Sequence, residues 1–190
     1  MPEIYVFGGC NGSGKTTLAT TILSSLDNQL EFVNADIIAA ELNPNDVDAV
    51  AIQASRLMLE RLNQLSQQET NFAFETTLAA RTFARFLRKC QARGYRINLV
   101  YIWLESADLA VSRVARRVAS GGHNIPEDII RRRYERGRRN FIELYSPIAD
   151  YWIVYDNTEA TRNVIAEKTP SQKITVYQPL IWQQINQESL

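Results

Sequence analysis

The sequence GGCNGSGKTT, residues 8–17, decides the fold of this chain. An apolar, β-prone run, EIYVF at residues 3–7, precedes it, and residues 18–26 carry apolar side chains at helical spacing. Strand, glycine-rich loop and helix in this order are the context in which the pattern G-x-x-x-x-G-K-[ST] binds phosphate. Main-chain amides surround the phosphate oxygens, and the positive end of the helix points at the same anion. We therefore predict a phosphate-binding loop.

Each residue type in this loop has a chemical role. Glycine permits positive φ angles and a close approach of the main chain to the anion. Lys15 is predicted to reach the terminal phosphates of a nucleoside triphosphate, and the Thr16 hydroxyl to ligate Mg²⁺. A Gly/Ser-rich turn that only precedes a helix is the structural alternative, but four fixed positions and both flanking elements argue against it. The predicted ATP-binding residues are Gly9, Asn11, Gly12, Ser13, Gly14, Lys15, Thr16 and Thr17 of the loop, with Arg113 further along the chain.

Composition limits the class of protein. The chain has 190 residues, 45% hydrophobic content and zero net charge, which favours one domain, residues 1–190, without a general attraction for nucleic acid or membranes. Two cysteines give no disulfide framework, and with one histidine, His123, a zinc site is not expected. Neither a basic leader nor an apolar run approaching about 18 residues is found, so we expect a cytoplasmic protein.

Strand and helix patterns alternate along the rest of the chain. Further strands are predicted at residues 31–34, 71–74, 97–104 and 151–155. A long helix is predicted directly after the breaker sequence at residues 43–46, with Val47, Val50 and Leu57 among its inward apolar residues. The resulting fold class is α/β: a three-layer P-loop NTPase or kinase fold with a mainly parallel five-stranded sheet, a helical lid at about residues 113–139, and a C-terminal hairpin and tail at about residues 160–190.

Two carboxylates follow strands directly, where ligands bind in such a sheet. Asp36 follows the second strand and is our predicted base for phosphoryl transfer to a hydroxyl, its alternative role being an N-cap for a helix starting at Ile37. Glu75 follows the third strand and is predicted to hold acceptor hydroxyls or to sit in the outer shell of Mg²⁺. Its alternative role is that of a carboxylate at a helix start.

Nine arginines between Arg113 and Arg139 stand against three acidic residues. Arginines on a mobile flap stabilise the charge of a transferring phosphoryl group, and Arg113 and Arg117 lie four apart on one helix face. Arg132 lies on the next helix, beyond a turn where His123 is expected to have a structural hydrogen-bonding role. A solvated basic face or a nucleic-acid patch is the preferred reading for most of the remainder, namely Arg131, Arg133, Arg136, Arg138 and Arg139.

Four ordered motifs resemble the zeta-toxin-like P-loop kinases: GGCNGSGKTT at residues 8–17, FVNAD at 32–36, FETTLAAR at 74–81, and GGHNIPEDIIRRRYERGRRNF at 121–141. The family's toxins use ATP and Mg²⁺ to phosphorylate UDP-N-acetylglucosamine on its amino sugar. The resemblance implies that Lys15 and Thr16 serve ATP and Mg²⁺ and that Asp36 is the base. It further implies that Glu75, with Thr76 and Arg81 of the same motif, contacts the acceptor. Arg117 and Arg132 would serve the γ-phosphate, with Arg131 and Arg133 as neighbouring alternatives.

Three functions are therefore weighed. The leading hypothesis is a kinase for a hydroxyl of a small molecule, such as an amino-sugar nucleotide. The second is a nucleoside, nucleotide or polynucleotide kinase, whose binding of several phosphates weakens steeply with salt. The third is a nucleotide-binding switch or adaptor that has no acceptor. If the protein acts as a toxin, it requires an antitoxin, a protein partner that blocks the site.

Overall fold

A seven-stranded sheet forms the centre of the computed structural model, which describes residues 1–26, 30–171 and 173–187. The strands are β1 Glu3–Gly9, β2 Glu31–Val33, β3 Phe72–Thr76, β4 Arg96–Trp103, β5 Tyr151–Asp156, β6 Asn163–Lys168 and β7 Ile174–Val176. Their order is β2-β3-β1-β4-β5-β6-β7. The first five in this order are parallel, and β6 and β7 are antiparallel to their neighbours.

The mainly parallel sheet and the C-terminal hairpin are confirmed, but the count of five strands is wrong. The hairpin of β6 and β7 does not stand apart; β6 pairs with β5 and extends the sheet to seven strands. An open edge of β5 would leave a row of main-chain groups unpaired, and the hairpin supplies their partners. Residues 172 and 188–190, which the predicted hairpin and tail include, lie outside the described residues.

Seven α-helices surround the sheet in the part of the chain that the structure describes: α1 Lys15–Leu26, α2 Ala35–Leu42, α3 Ala51–Gln67, α4 Arg81–Ala92, α5 Ala107–Ala119, α6 Glu127–Asn140 and α7 Pro179–Asn186. Helix α6 continues into a π-helical turn, Phe141–Tyr145, in which the amide of Ser146 donates to the carbonyl of Phe141 at 2.8 Å. None of the helices in the described ranges is both long and apolar enough to cross a lipid bilayer.

The predicted start of the long helix is wrong. Helix α3 begins at Ala51, after a loop in which the Asn43 side chain accepts from the amides of Asn45 and Asp46 at 3.2 Å. Such side-chain to main-chain bonds offer the chain an alternative to helix, and they delay the helix start here. As a result Val47 lines a cleft instead of the core. The inward placement of Leu57 is also wrong, because its side chain lies on the outer face of α3 and is 36% exposed.

Apolar side chains fill both faces of the sheet, which confirms the three layers. On one face, Phe72 and Phe74 of β3 contact a large cluster formed with α3, α4 and the π-helical turn. On the other face, Phe7, Val100 and Ile102 pack with residues of α1. Because both faces of the central strands are covered, the residues that remain accessible on these strands lie at their ends.

The C-terminal helix packs against the core of the domain. The ring of Trp182 stacks on Trp152 of β5, with centroids 5.3 Å apart and an interplanar angle of 20°. Ile185 is fully buried, and its carbonyl accepts from Arg138 of α6 at 3.0 Å. Helix α7 therefore links β5 to α6.

Trp182→Ala is expected to lower the free energy of unfolding by about 2 kcal/mol, because it removes a half-buried aromatic contact between α7 and the sheet. Urea denaturation followed by circular dichroism measures this change. Leu180→Ala is the matched control on the same helix, since Leu180 is 78% exposed, and we expect a change within about 0.5 kcal/mol. Equal effects of the two substitutions would contradict the assigned packing.

Candidate active site

The glycine-rich loop leaves β1 at the carboxyl edge of the sheet and is held tightly on two sides. Gly12 has φ +77°, and a Cβ built there would lie 3.0 Å from the carbonyl oxygen of Ala110 and 3.1 Å from the Cβ of Arg113, both in α5. On the other side the Asn157 amide donates to the carbonyl of Ser13 at 2.8 Å. The loop is thus fixed between α5 and the end of β5.

The end of the loop has the electrostatics of an anion site. Helix α1 has no acidic residue in its first turn, so its positive end is not neutralised by its own sequence. Lys15 is buried, with 8% of the residue exposed, and its ammonium donates to the carbonyl of Cys10 at 2.9 Å. Burial raises the pKa of the Cys10 thiol to about 11, and the nearby Lys15 charge opposes this only in part, so the thiol stays neutral at physiological pH.

Glu75 and Thr16 meet beside the loop. The Thr16 hydroxyl donates to the Glu75 carboxylate at 2.9 Å, and the sheet register pairs Phe7 with Glu75. Hydroxyl and carboxylate oxygens are suitable ligands for Mg²⁺, which keeps waters and binds through few protein groups. The donors therefore fit Mg²⁺. No cluster of three or more His, Cys, Asp or Glu suited to a metal occurs among the residues described.

A cleft of about 720 Å³ opens in front of these groups. Its walls come from the glycine-rich loop, from α2 and α3, from the segment after β3, and from α6. The ionisable side chains that line it are Lys15, Asp36, Asp48, Glu75, His123, Arg132, Arg133 and Arg136. Apolar side chains, including Met58, Phe83 and Ile129, contribute to its walls. The structure thus brings the predicted lysine, both predicted carboxylates and Arg132 into a single cleft.

Asp36 lies in the first turn of α2 and is not its N-cap. The cap is Asn34, whose side-chain oxygen accepts from the Asp36 amide at 2.7 Å. The alternative reading of Asp36 as a capping residue is therefore wrong, because its neighbour already satisfies the helix end. The exposed Asp36 side chain lines the cleft and is available to a ligand.

Helix α6 supplies three arginines to the cleft, Arg132, Arg133 and Arg136. Arg133 donates to the side-chain oxygen of Asn11 in the glycine-rich loop at 3.2 Å. Burial lowers the pKa of Arg133, while the charges of Asp36 and Asp48 act in the opposite direction. The assignment of Arg133 to a solvated face is wrong, because its side chain is partly buried against the loop. Arg136 is exposed as predicted but borders the cleft, and Arg131 pairs on the surface with Asp108 and Glu127.

Three of the four predicted site arginines do not line the cleft. Arg113 donates to the carbonyl of Thr158 at 2.8 Å beside the glycine-rich loop, and Arg117 donates to the carbonyl of His123 at 3.0 Å in the α5–α6 turn. Arg81 is exposed at the start of α4. Thr76 does line the cleft, but its hydroxyl accepts from the Leu78 amide at 3.1 Å.

The α5–α6 turn contacts the opposite wall of the cleft. The Nε2 atom of His123 lies 3.1 Å from a carboxylate oxygen of Asp48, in the loop before α3. This contact joins the predicted lid to the loop between α2 and α3. The structural hydrogen-bonding role of His123 stays a prediction. Asp48 was not predicted, because nothing in its local sequence distinguishes it from a loop carboxylate.

Sequence reasoning also missed Asn34 and Asn157. Asn34 lies within the FVNAD motif, and Asn157 follows the fifth strand directly, so the rule that ligand sites gather at strand ends indicated both positions. Arg133 gave no such signal, because three consecutive arginines look alike until the helix phase is known. Residues at strand ends are therefore easier to find from sequence than those on a lid helix.

The profile of the family described as Zeta toxin matches residues 1–169. The chain belongs to the zeta toxin family. Its membership makes it a zeta-toxin-like P-loop kinase and implies an ATP-dependent phosphotransferase. A protein of Haemophilus influenzae, described only as uncharacterized, is 31% identical over 126 residues, which are 66% of this chain and 88% of that protein.

Solved structures share the fold at low sequence identity. AvrRxo1-ORF1:-ORF2 with ATP superposes with a TM-score of 0.78 and 14% identity, covering 100% of this chain and 65% of that chain. The chain thus spans slightly less than two thirds of that neighbour. The PezAT toxin–antitoxin system of Streptococcus pneumoniae gives a TM-score of 0.65 at 16% identity, covering 99% of this chain and 80% of that one. Shikimate kinase from Acinetobacter baumannii gives a TM-score of 0.50 at 16% identity, covering 84% of this chain and 86% of that one.

Asn157→Ala is expected to weaken ATP binding about fivefold, because one hydrogen bond that fixes the loop is lost, at a cost of about 1 kcal/mol. Isothermal titration calorimetry with a non-hydrolysable ATP analogue measures the affinity. Asn186→Ala removes an exposed side-chain amide that bonds the Trp182 carbonyl on α7, and serves as the control. An unchanged affinity in Asn157→Ala would show that the loop does not need this support.

Proposed function

We propose that this chain transfers the γ-phosphate of ATP to a hydroxyl of an amino-sugar nucleotide, with UDP-N-acetylglucosamine as the first candidate acceptor. One observation supports the proposal above others. Asn11 and Lys15 of the phosphate loop line one cleft together with the carboxylates of Asp36 and Glu75 and with three α6 arginines. Glu75 also accepts from the Thr16 hydroxyl beside the loop. Such a cleft holds both reactants next to each other, which is the main requirement of phosphoryl transfer.

Loop amides and the Lys15 ammonium hold the triphosphate in this mechanism. Lys15 now bonds the carbonyl of Cys10, and the phosphate oxygens would take that carbonyl's place. Thr16 and Glu75 are the groups that would hold Mg²⁺, directly or through water, and the ion would neutralise phosphate charge. Binding of ATP is described for the AvrRxo1 neighbour, which supports this part of the proposal.

Asp36 accepts the proton of the acceptor hydroxyl in the proposed reaction. The hydroxyl oxygen forms a bond to the γ-phosphorus, the bond from the γ-phosphorus to the bridging oxygen breaks, and ADP leaves with that oxygen. Arg133, next to the glycine-rich loop, and Arg132 are placed to stabilise the negative charge of the transferring group. We propose no direct role for Arg117, since its guanidinium bonds the turn of the lid.

We also propose an antitoxin as a protein partner. The AvrRxo1 neighbour is described as a complex of ORF1 with ORF2, and PezAT as a toxin–antitoxin system. The open cleft between α3 and α6 is the surface that such a partner has to block.

Mass spectrometry of UDP-N-acetylglucosamine incubated with the protein, ATP and Mg²⁺ tests the acceptor. We expect a product heavier by one phosphoryl group, together with ADP in equal amount. Lys15→Ala is the control and yields neither, because the loop loses its phosphate-binding charge. Phosphorylation of a nucleoside or of an RNA end instead would show a nucleoside, nucleotide or polynucleotide kinase. ADP release that does not depend on any acceptor would favour a nucleotide-binding switch.

Asp36→Asn is expected to lower kcat at least about 100-fold while ATP affinity changes little, because the amide cannot accept the hydroxyl proton. Glu41→Gln on the same helix is the matched control, since Glu41 is exposed and does not line the cleft. A discontinuous assay of ADP and phosphorylated product gives kcat, and calorimetry gives the affinity for ATP. Turnover retained in Asp36→Asn would place the base elsewhere.

A further inference from the structure

The segment directly after Glu75 has an unusual main-chain conformation. Leu78 has φ +58° although it is not glycine, and its side chain is fully buried. This left-handed region is disfavoured for a residue with a Cβ, so the surrounding structure must hold Leu78 there. Such residues concentrate at functional sites, and Leu78 lies three residues from the carboxylate that bonds Thr16.

Two hydrogen bonds hold Leu78. Its amide donates to the Thr76 hydroxyl at 3.1 Å, and its carbonyl accepts from the side-chain amide of Asn140 at 2.8 Å. Asn140 is the last residue of α6 and is 3% exposed. Because the carbonyl and the amide are both removed from water, the loss of either partner leaves the other unsatisfied.

Two glycines let the neighbouring elements reach this segment. A Cβ on Gly8 of β1 would lie 2.7 Å from the Leu78 side chain, and a Cβ on Gly137 of α6 would lie 2.4 Å from the Thr77 carbonyl oxygen. The segment is therefore enclosed between the strand that leads into the phosphate loop and the helix that bears the cleft arginines. On the Gly137 side the main chains approach too closely for any side chain.

The face of α6 that contacts this segment also carries Arg133. Positions 133, 137 and 140 are spaced by four and three residues, so their side chains lie on one face of the helix. Arg133 contacts the phosphate loop through Asn11, while Gly137 and Asn140 contact residues 77 and 78. One helical face thus sets the position of Arg133 relative to Glu75.

We propose that Asn140 is a positioning residue for phosphoryl transfer. It holds Leu78 in the left-handed conformation and so joins the strand end that carries Glu75 to the helix that carries Arg133. Without the hydrogen bond from Asn140 to the Leu78 carbonyl, the strand end with Glu75 and the helix with Arg133 move independently. The acceptor and the phosphoryl group are then no longer aligned. The kinetic part of this inference rests on the proposed kinase function; the structural coupling does not.

Asn140→Ala removes the hydrogen bond from α6 to the Leu78 carbonyl, whereas Gly137→Ala adds a methyl group that pushes α6 away from the Thr77 carbonyl. We expect the same kinetic result from both substitutions. With UDP-N-acetylglucosamine as acceptor, kcat falls at least about tenfold, because small misplacements of reacting groups are costly, while KM for ATP changes less than about threefold. A general loss of stability does not produce this split between kcat and KM in the fraction of protein that is folded.

Tyr95→Phe is the matched control. The Tyr95 hydroxyl is buried and donates to the Thr70 carbonyl at 3.1 Å, just before β4 at the amino edge of the sheet, opposite the cleft. The Tyr95→Phe substitution removes a buried side-chain donor to a carbonyl, as Asn140→Ala does. Because Tyr95 lies outside the site, we expect kcat within about twofold of the parent. Thermal melting of all variants identifies the temperature at which each is fully folded, and assays are run below it.

Hydrogen exchange read by mass spectrometry tests the coupling without any acceptor. We expect exchange of residues 76–80 to rise at least about tenfold in Asn140→Ala and Gly137→Ala, and not in Tyr95→Phe. Unchanged exchange in the two α6 variants, or an equal rise in the control, overturns the positioning role. If the parent phosphorylates no acceptor but the exchange results hold, the proposed function fails and the coupling stands.

Discussion

The parallel register of β3 with β1 is the constraint on which the site depends. It pairs Phe7 with Glu75 and Gly8 with Thr76, so the third strand ends where the phosphate loop begins. Main-chain hydrogen bonds fix this register, and a slip by one residue would turn Glu75 to the other face of the sheet. The contact between Thr16 and Glu75 follows from the register and does not depend on any flexible loop.

Contacts between helix α6 and the edge of the sheet fix the position of the arginines that line the cleft. Tyr134 donates to the Leu104 carbonyl at 2.7 Å, Arg133 contacts Asn11, and Arg138 contacts the carbonyl of Ile185 in α7. These contacts reach the end of β4, the phosphate loop and the C-terminal helix. The helix is therefore supported along its whole length, which distinguishes it from a lid that is attached only at its ends.

Much of the fold was predictable from sequence because its signals are local. Continuous apolar strands, the glycine-rich loop and residues such as Asp36 at strand ends each follow from a short stretch of chain. The addition of the hairpin to the sheet and the delayed start of α3 were not predictable in this way, since both depend on which main-chain groups find partners. Arg133 could not be distinguished from Arg131 and Arg132, because its contact is set by the phase of α6 against Asn11, which lies 122 positions away in the sequence.

The π-helical turn after Asn140 has a consequence for how this site tolerates change in length. A π turn amounts to one additional residue within a helix, and it shifts all later side chains by about 100° around the axis. Tyr145 lies at the end of this turn, is fully buried and donates to the Ala80 carbonyl, so it owes its direction to that extra residue. Deletion of a single residue here would turn Tyr145 away from Ala80, so evolution can vary the composition of this segment more readily than its length.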